Sequence, residues 1–392
     1  MRGWSTIRLE DCAEIVSGAT PSTSVAVNWD GNICWATPKD LSELEGAYIS
    51  DTPRKITHTG LESCAATVLP ADSVLFSSRA PIGHVAINTV PMATNQGFKS
   101  FVPKRDVLHA KFLYHWLKKN RNYLESLGNG ATFKEVSKAV VSRIEIPVPS
   151  IAEQRRIATI LDKVDTLRAQ RRATLAQLDT LTQSIFLDMF GDPISNPRGY
   201  PVRPMIELID PQRPISYGIL MPGPDQTEGV NYVRVVDMKN GGIELSGIRK
   251  TTEAISNAYR RSLLRSGDLL MSIRGHVGRL AIVPPELDGA NITQDTARLA
   301  ISNVSPVFVR ECLRSNGFQH WMAKHTKGVA VRGINLGDVK CMPIMVPPNA
   351  AQDRFARQVN TAEAMKLRLR ASLLKLDLLF ASLQHRAFRG EL

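Results

Sequence analysis

Cysteine is scarce in this chain of 392 residues: Cys12, Cys34, Cys64, Cys312 and Cys341 are all there are, and no two stand at CxxC spacing. An odd number without that spacing indicates neither a disulfide framework nor a zinc module, and leaves buried free thiols as the expected state. His320 and His325 stand five apart on an expected helix with no acidic or cysteine neighbour, so no metal site is expected there. No run of about 18 apolar residues occurs, so no membrane-spanning helix is written. The opening residues MRGWSTIRLEDCAEIV reach charge too early for an apolar signal segment, and a cytoplasmic protein is expected.

Signatures of catalysis are missing as well. The chain has no GxxxxGK[ST] phosphate loop, no GxSxG and no HExxH. NPRG at 196 and DPQR at 210 come nearest to the Asp/Asn-Pro-Pro-aromatic signature of amino methyltransferases, and both lack the second proline and the aromatic. The carboxylates are scattered, with no lysine at a short nuclease-like spacing. A protein without catalysis of its own is expected.

What the chain does have is positive charge, +12 from 49 Lys and Arg against 37 Asp and Glu. Such a surplus points to a polyanionic partner such as nucleic acid. It is uneven: residues 1–195 hold 22 basic and 20 acidic residues, residues 196–392 hold 27 and 17. The length calls for two cores.

The second positive feature is an internal duplication. SVLFSSRAPIGHVAI at 73–87 returns as DLLMSIRGHVGRLAI at 268–282, CWATPKDL at 34–41 as NYVRVVDM at 231–238, and FLYHWLKKN at 112–120 as FVRECLRSN at 308–316. From Gly130 and Gly328 to Phe190 and Phe388 the copies run at a constant offset of 198 residues. Each copy begins with short apolar runs separated by turns, which read as strands, and continues into a helical stretch at about 108–127 or 305–326. A proline-containing segment follows, SRIEIPVPS at 142–150 or KCMPIMVPP at 340–348, which bars a helix and then releases one.

The released helices, about 151–190 and 350–388, carry heptads. Ile157, Val164, Leu178 and Ile185 recur every seven residues, interrupted by Arg171, with Ile160, Leu167 and Leu181 three later. Phe355, Ala362, Leu369, Leu376 and Leu383 form the equivalent line, joined by Met365 and Leu379. A narrow seam of this kind suits a coiled coil, and the simplest partner for each helix is the other. Antiparallel pairing is expected, because a parallel pair would require the intervening residues to span the helix length twice. The expected fold is α+β: similar globular domains at 1–150 and 193–348, and long helices at 151–192 and 349–392 forming an antiparallel coiled coil, the whole an internal repeat with an approximate two-fold axis. Some 38 helical residues span roughly 57 Å.

Two variable halves, each followed by a long helix begun by IPVPSIAEQRRIATIL, resemble the specificity subunit of type I restriction-modification enzymes, the HsdS family. The resemblance covers essentially the whole chain, and it is carried by the P-x-P-x-x-x-E-Q helix start (Pro147, Pro149, Glu153, Gln154) and by the repeated phrase at 73 and 268. The second copy keeps Gln352 and has Ala351 in place of the glutamate. The resemblance implies that each globular half is a target recognition domain for one part of a split double-stranded DNA site, and that the helices set the unread spacer. It also implies docking of two modification subunits, which use S-adenosylmethionine, with ATP- and Mg-dependent restriction subunits able to join. No cofactor is expected in this chain, and no membrane association. The competing expectation is a stand-alone two-headed DNA-binding regulator.

The duplication also sorts candidate residues. Domains reading different half-sites should share what builds the fold or grips phosphate and differ where base edges are read. Arg79 with Arg274 and Gln96 with Gln294 are shared, which makes them phosphate or scaffold candidates, as Ser77 with Ser272 and Gly83 with Gly278 are shared in the turn. Candidate base readers lie where the copies diverge: Thr37 and Lys39 against Arg234 and Val236, Ser78 and Pro81 against Ile273 and His276, and Thr132 and Lys134 against Ala330 and Arg332. Glu153, Gln154, Ile157, Val164, Leu178, Ile185, Phe355, Leu369, Leu376 and Leu383 are the candidates for partner docking and the coiled coil.

Overall fold

A computed structural model describes residues 4–130, 134–239, 241–328 and 332–392. Packing divides the chain into two compact units, Met1–Ala173 with Arg370–Leu392, and Thr174–Leu369. The unit boundaries therefore fall within the long helices, Ile151–Phe190 and Asn349–Ala387, and not at their starts.

In the first unit a five-stranded sheet runs in the order Ala13–Ser17, Lys99–Pro103, Val74–Phe76, Val85–Asn88, Tyr48–Ile49. Val74–Phe76 and Val85–Asn88 are the hairpin expected from SVLFSS and HVAI, paired antiparallel with Val74 opposite Ile87. A three-stranded sheet orders Lys55–Ile56, Trp29–Ala36 and Met92–Thr94, and Ser5–Arg8 pairs with Glu145–Val148 just ahead of the long helix. The second unit repeats the plan. Ser216–Tyr217, Thr296–Leu299, Leu269–Ser272 and Leu280–Ile282 form its main sheet, Arg249–Thr251, Val230–Val233 and Asn291–Ile292 its three-stranded sheet, and Val202–Pro204 pairs with Pro343–Met345. The strand phrases are wholly buried, as runs flanked by sheet on one side and helix on the other must be.

Amphipathic helices cover each main sheet, Ala110–Lys119 and Arg121–Ser126 in the first unit, Pro306–Arg314 and Asn316–His325 in the second. Phe112 of the first packs edge-on against Phe388, ring centroids 5.3 Å apart, and Phe308 of the second packs the same way against Phe190 at 5.0 Å. One duplicated aromatic pair thus joins the end of a long helix to the core of each unit.

Within both units the long helices pair antiparallel. In the first, Arg168 meets Asp377 and Arg156 donates to the Leu392 carbonyl; in the second, Asp179 meets Lys366 and Phe186 meets Phe355. The heptad reading needs one correction. Ile157, Val164, Leu178 and Phe355 are buried, and Ile185, Leu369, Leu376 and Leu383 half-buried. The companion line lies four residues on and not three: Leu161, Arg168 and Thr182 in one helix, Val359, Lys366, Leu373, Phe380 and Ala387 in the other, are buried or half-buried. Leu167, Leu181, Met365 and Leu379 are between 46 and 49 % exposed. Both lines carry leucines, so a seven-residue period alone cannot choose between them; the choice falls to the globular core, which packs against Leu161 and Val359.

The helix starts are built alike. Gln154 is fully buried: its Oε1 accepts from the His109 amide at 2.8 Å and its Nε2 donates to the Val107 and Pro149 carbonyls at 2.8 and 2.9 Å. Gln352 accepts from the Ser305 amide at 2.8 Å and donates to the Pro347 carbonyl at 2.7 Å. The glutamine of the helix-start motif therefore ties the helix to its own domain, where the buried Gln154 side chain spends its polar atoms. Glu153 lies near the surface with Arg156, whose side-chain hydrogen bond holds the Glu153 carboxyl below its ordinary value.

Cys12, Cys34 and Cys312 are the buried thiols expected; Cys64 is half-buried, and Cys341 departs from the expectation by being exposed. No helix is long and apolar enough to cross a membrane, and no metal-holding cluster occurs among the described residues.

Candidate nucleic-acid interface

The repeated phrase forms the same loop in both units, closed by a serine. Ser77 Oγ donates to the Pro81 carbonyl and accepts from the His84 amide, both at 2.8 Å; Ser272 Oγ donates to the His276 carbonyl and accepts from the Arg279 amide. Gly83 and Gly278 then turn the chain at φ +96° and +88°, a conformation open to glycine and costly to side chains, and their amides return to the Ser77 and Ser272 carbonyls at 3.0 Å.

A second loop is hydrogen-bonded to the first. Asn129 and Glu135 exchange backbone bonds at 3.0 Å, and Lys327 and Gly333 do so at 2.8 and 2.9 Å. Val136 donates to Ser78 and Ile334 to Ile273, each at 2.9 Å, so both loops are fastened to the strand that carries the shared arginine. Arg79 is bridged to Glu135 and Arg274 to Gly333. The scaffold is thus common to both units, and the side chains it displays are not.

In the second unit Arg274, His276, Lys327 and Arg332 are all exposed on this loop pair. Among the described residues none of the four has a carboxylate partner. In the first unit the corresponding positions hold Arg79, Pro81, Asn129 and Lys134, and Arg79 Nη1 lies 3.6 Å from Glu135. Lys134 is exposed. Thr132 and Ala330 lie outside the described residues.

Three candidate base readers are spent elsewhere. Ser78 is fully buried and its hydroxyl donates to the Gly97 carbonyl at 3.1 Å, as its counterpart Ile273 is buried in the core. Thr37 caps the helix Pro38–Ser42 in a reciprocal pairing with Asp40, whose Oδ2 accepts from the Thr37 amide at 2.7 Å. Arg234 occupies the matching cap. Its Nε and Nη2 grip Asp237 at 3.0 and 2.7 Å, a side-chain hydrogen bond that raises the guanidinium pKa, and Nη2 also donates to Gly247. The fork that would read a guanine is filled by carboxylate. Copy divergence marks such buried or capping positions as readily as surface ones, because both follow the change of neighbours. Lys39 remains exposed, with Glu43 at 3.7 Å.

The shared glutamines differ in setting. Gln96 is exposed and accepts from the Thr20 hydroxyl. The Gln294 amide, oriented to satisfy its surroundings, donates to the Ile219 and Leu220 carbonyls at 2.7 and 3.2 Å and serves the scaffold.

Two features escaped the sequence reading. Beside Gly278 an open cleft of about 620 Å³ is lined by Lys239, Arg279, Arg314 and Gln319. The first unit places His84, Lys118 and Arg121 at the corresponding positions; the His84 pKa is lowered by burial and further by Arg121 and Lys118. Tyr217, Leu220 and Met221 are exposed at 54, 53 and 77 %. Neither feature follows any sequence periodicity.

The chain is thus a duplicated α+β protein whose two units carry the same paired loops with different exposed side chains. Residues 1–178 match the family described as type I restriction modification DNA specificity domain. The MjaIX type I restriction enzyme specificity subunit of Methanocaldococcus jannaschii is 28 % identical over 384 residues, covering 90 % of this chain and 85 % of the relative. The EcoBI specificity subunit of Escherichia coli is 28 % identical over 333 residues, covering 77 % and 70 %. The crystal structure of the type I restriction-modification S subunit from M. genitalium superposes with TM-score 0.62 at 12 % identity, covering 98 % of this chain and 96 % of that one. Over most of its length the chain is thus similar to type I restriction-modification specificity subunits.

Proposed function

We propose that this chain is the DNA sequence-specificity subunit of a type I restriction-modification complex. Each unit reads one half of a bipartite double-stranded target, and the long helices set the spacer and dock two modification subunits. The chain performs no catalysis; methyl transfer from S-adenosylmethionine, and any ATP- and Mg-dependent restriction, reside in its partners. The observation that carries this reading is the loop pair, built on identical serine clamps, glycine turns and backbone bonds in both units while its exposed residues differ. A common frame with exchanged contacts is what two half-sites of different sequence require. Lys39, Lys134, His276 and Arg332 are the polar base-reading candidates that remain exposed.

The test is to co-express the chain with modification subunits and map methylated adenines. A two-part methylated motif that disappears when this chain is omitted is expected. An unchanged methylation pattern, or tight operator binding by the isolated chain without partners, would overturn the reading.

A further inference from the structure

The shared arginine of the loop pair is held differently in the two units. In the first, Glu135 stands between two cations: its Oε1 is 3.2 Å from Lys99 Nζ, and its Oε2 is 3.6 Å from Arg79 Nη1. Lys99 is itself buried, 8 % exposed, so its charge needs this carboxylate. In the second unit both members of that arrangement are replaced together. The position of Lys99 is taken by Ala297, fully buried, and that of Glu135 by Gly333. Arg274 is left exposed, with no acid partner among the described residues, flanked by Gly275 and Gly333, which add no side chain between its guanidinium and an approaching groove.

An arginine conserved between copies would ordinarily impose one base on both half-sites. That objection fails when one of the two is sequestered. We propose that the Glu135/Gly333 difference makes the shared arginine a base reader in one unit only: Arg274 takes a guanine edge through its free fork, and Arg79 does not contact a base. This inference rests on the DNA-reading function proposed above.

The experiment uses the complete complex with modification subunits, whose preferred target is first mapped from methylation, and a panel of duplexes varied at each position. Arg274→Ala is expected to lose discrimination at one guanine of one half-site, by roughly 5- to 150-fold, with the other half-site unchanged. Arg79→Ala is expected to leave the bases preferred in its own half-site as they were. Lys99→Ala with Glu135→Gly, which installs the second unit's residues without stranding a buried lysine, is expected to add a guanine preference to the first half-site. A uniform loss over all sequences in Arg274→Ala, with the salt slope falling by about one, would show a phosphate contact and overturn the proposal. No change in that variant, or relaxation of a base by Arg79→Ala, would overturn it equally. Absence of any preferred sequence in the unaltered complex would bring down the DNA-reading function itself, and the inference with it.

Discussion

Lys366 Nζ lies 2.6 Å from Asp179 Oδ1 across the helix pair of the second unit, and Arg168 Nε lies 2.6 Å from Asp377 Oδ1 across the helix pair of the first. Each of these residues is the image of another at the 198-residue offset, and each cation also reaches an acid three residues earlier on its own helix, Glu363 or Asp165. A charge in a seam costs stability and specifies register and partner orientation. Lys366 is 1 % exposed and Asp179 about half. Asp179→Asn is therefore expected to destabilise the second unit more than Lys366→Met, by about 1–3 kcal/mol against less than 1, because only the former takes the nearer carboxylate from a buried charge and leaves Glu363 alone to balance it. Denaturant unfolding of the two variants checks the order; equal costs would contradict it.

The two residues of the helix-start motif should separate cleanly. Gln154→Ala leaves the His109 amide and two carbonyls without their partner in the interior, and Gln352→Ala does the same at Ser305 and Pro347, so each is expected to cost about 1–3 kcal/mol. Glu153→Ala removes a near-surface contact to Arg156 and should stay within about 0.5 kcal/mol. Thermal melts of the three variants decide.

Acid should act on the first unit before the second. Burial lowers the pKa of His84 and His109 below the ordinary 6.5, and nearby arginines and lysines lower both further. A base whose folded pKa is depressed binds protons more readily when unfolded, so its contribution to stability is present above about pH 6.5 and is lost as pH falls below it. The second unit has Arg279 and Ser305 at these positions and no such loss. Hydrogen exchange at pH 7.5 and 5.5 should show faster opening of strands Val74–Phe76 and Val85–Asn88 at the lower value, with Leu269–Ser272 little altered; equal response of both units would refute the assignment.

Spacer length should follow helix length. Seven residues inserted after Arg171, with seven more at the matching point of the partner helix after Leu369, add about 10 Å of helix, or roughly three base pairs. The methylated motif is expected to keep both half-sites and gain that spacing. Altered half-sites would argue against the helices as the ruler.

Much of this was readable in one dimension. The duplication located both loops, their glycine turns and the start of each long helix to within a residue or two, because a repeated phrase reports the frame that both copies must build. Divergence was a weaker guide. Thr37, Arg234 and Ser78 differ from their counterparts as Lys134 and His276 do, yet the first three point at a helix cap or into the core. Which side of the chain a residue faces depends on neighbours distant in sequence: Ser78 is buried because Gly97 accepts its hydroxyl, and Arg234 is occupied because Asp237 and Gly247 lie beside it.

By itself, the sequence determined that there are two copies, that each ends in a seven-residue apolar repeat, and that the surplus of positive charge sits in the second. Those are properties of residue order, and local periodicity and composition suffice for them. Tertiary structure alone decided that the companion seam runs four residues on, that the motif glutamine is buried and its glutamate near the surface, and that one shared arginine lies beside a carboxylate while the other has no acid partner among the described residues. Burial and ion pairing arise between residues tens of positions apart, as Arg79 and Glu135 are, and only the folded chain brings them within reach.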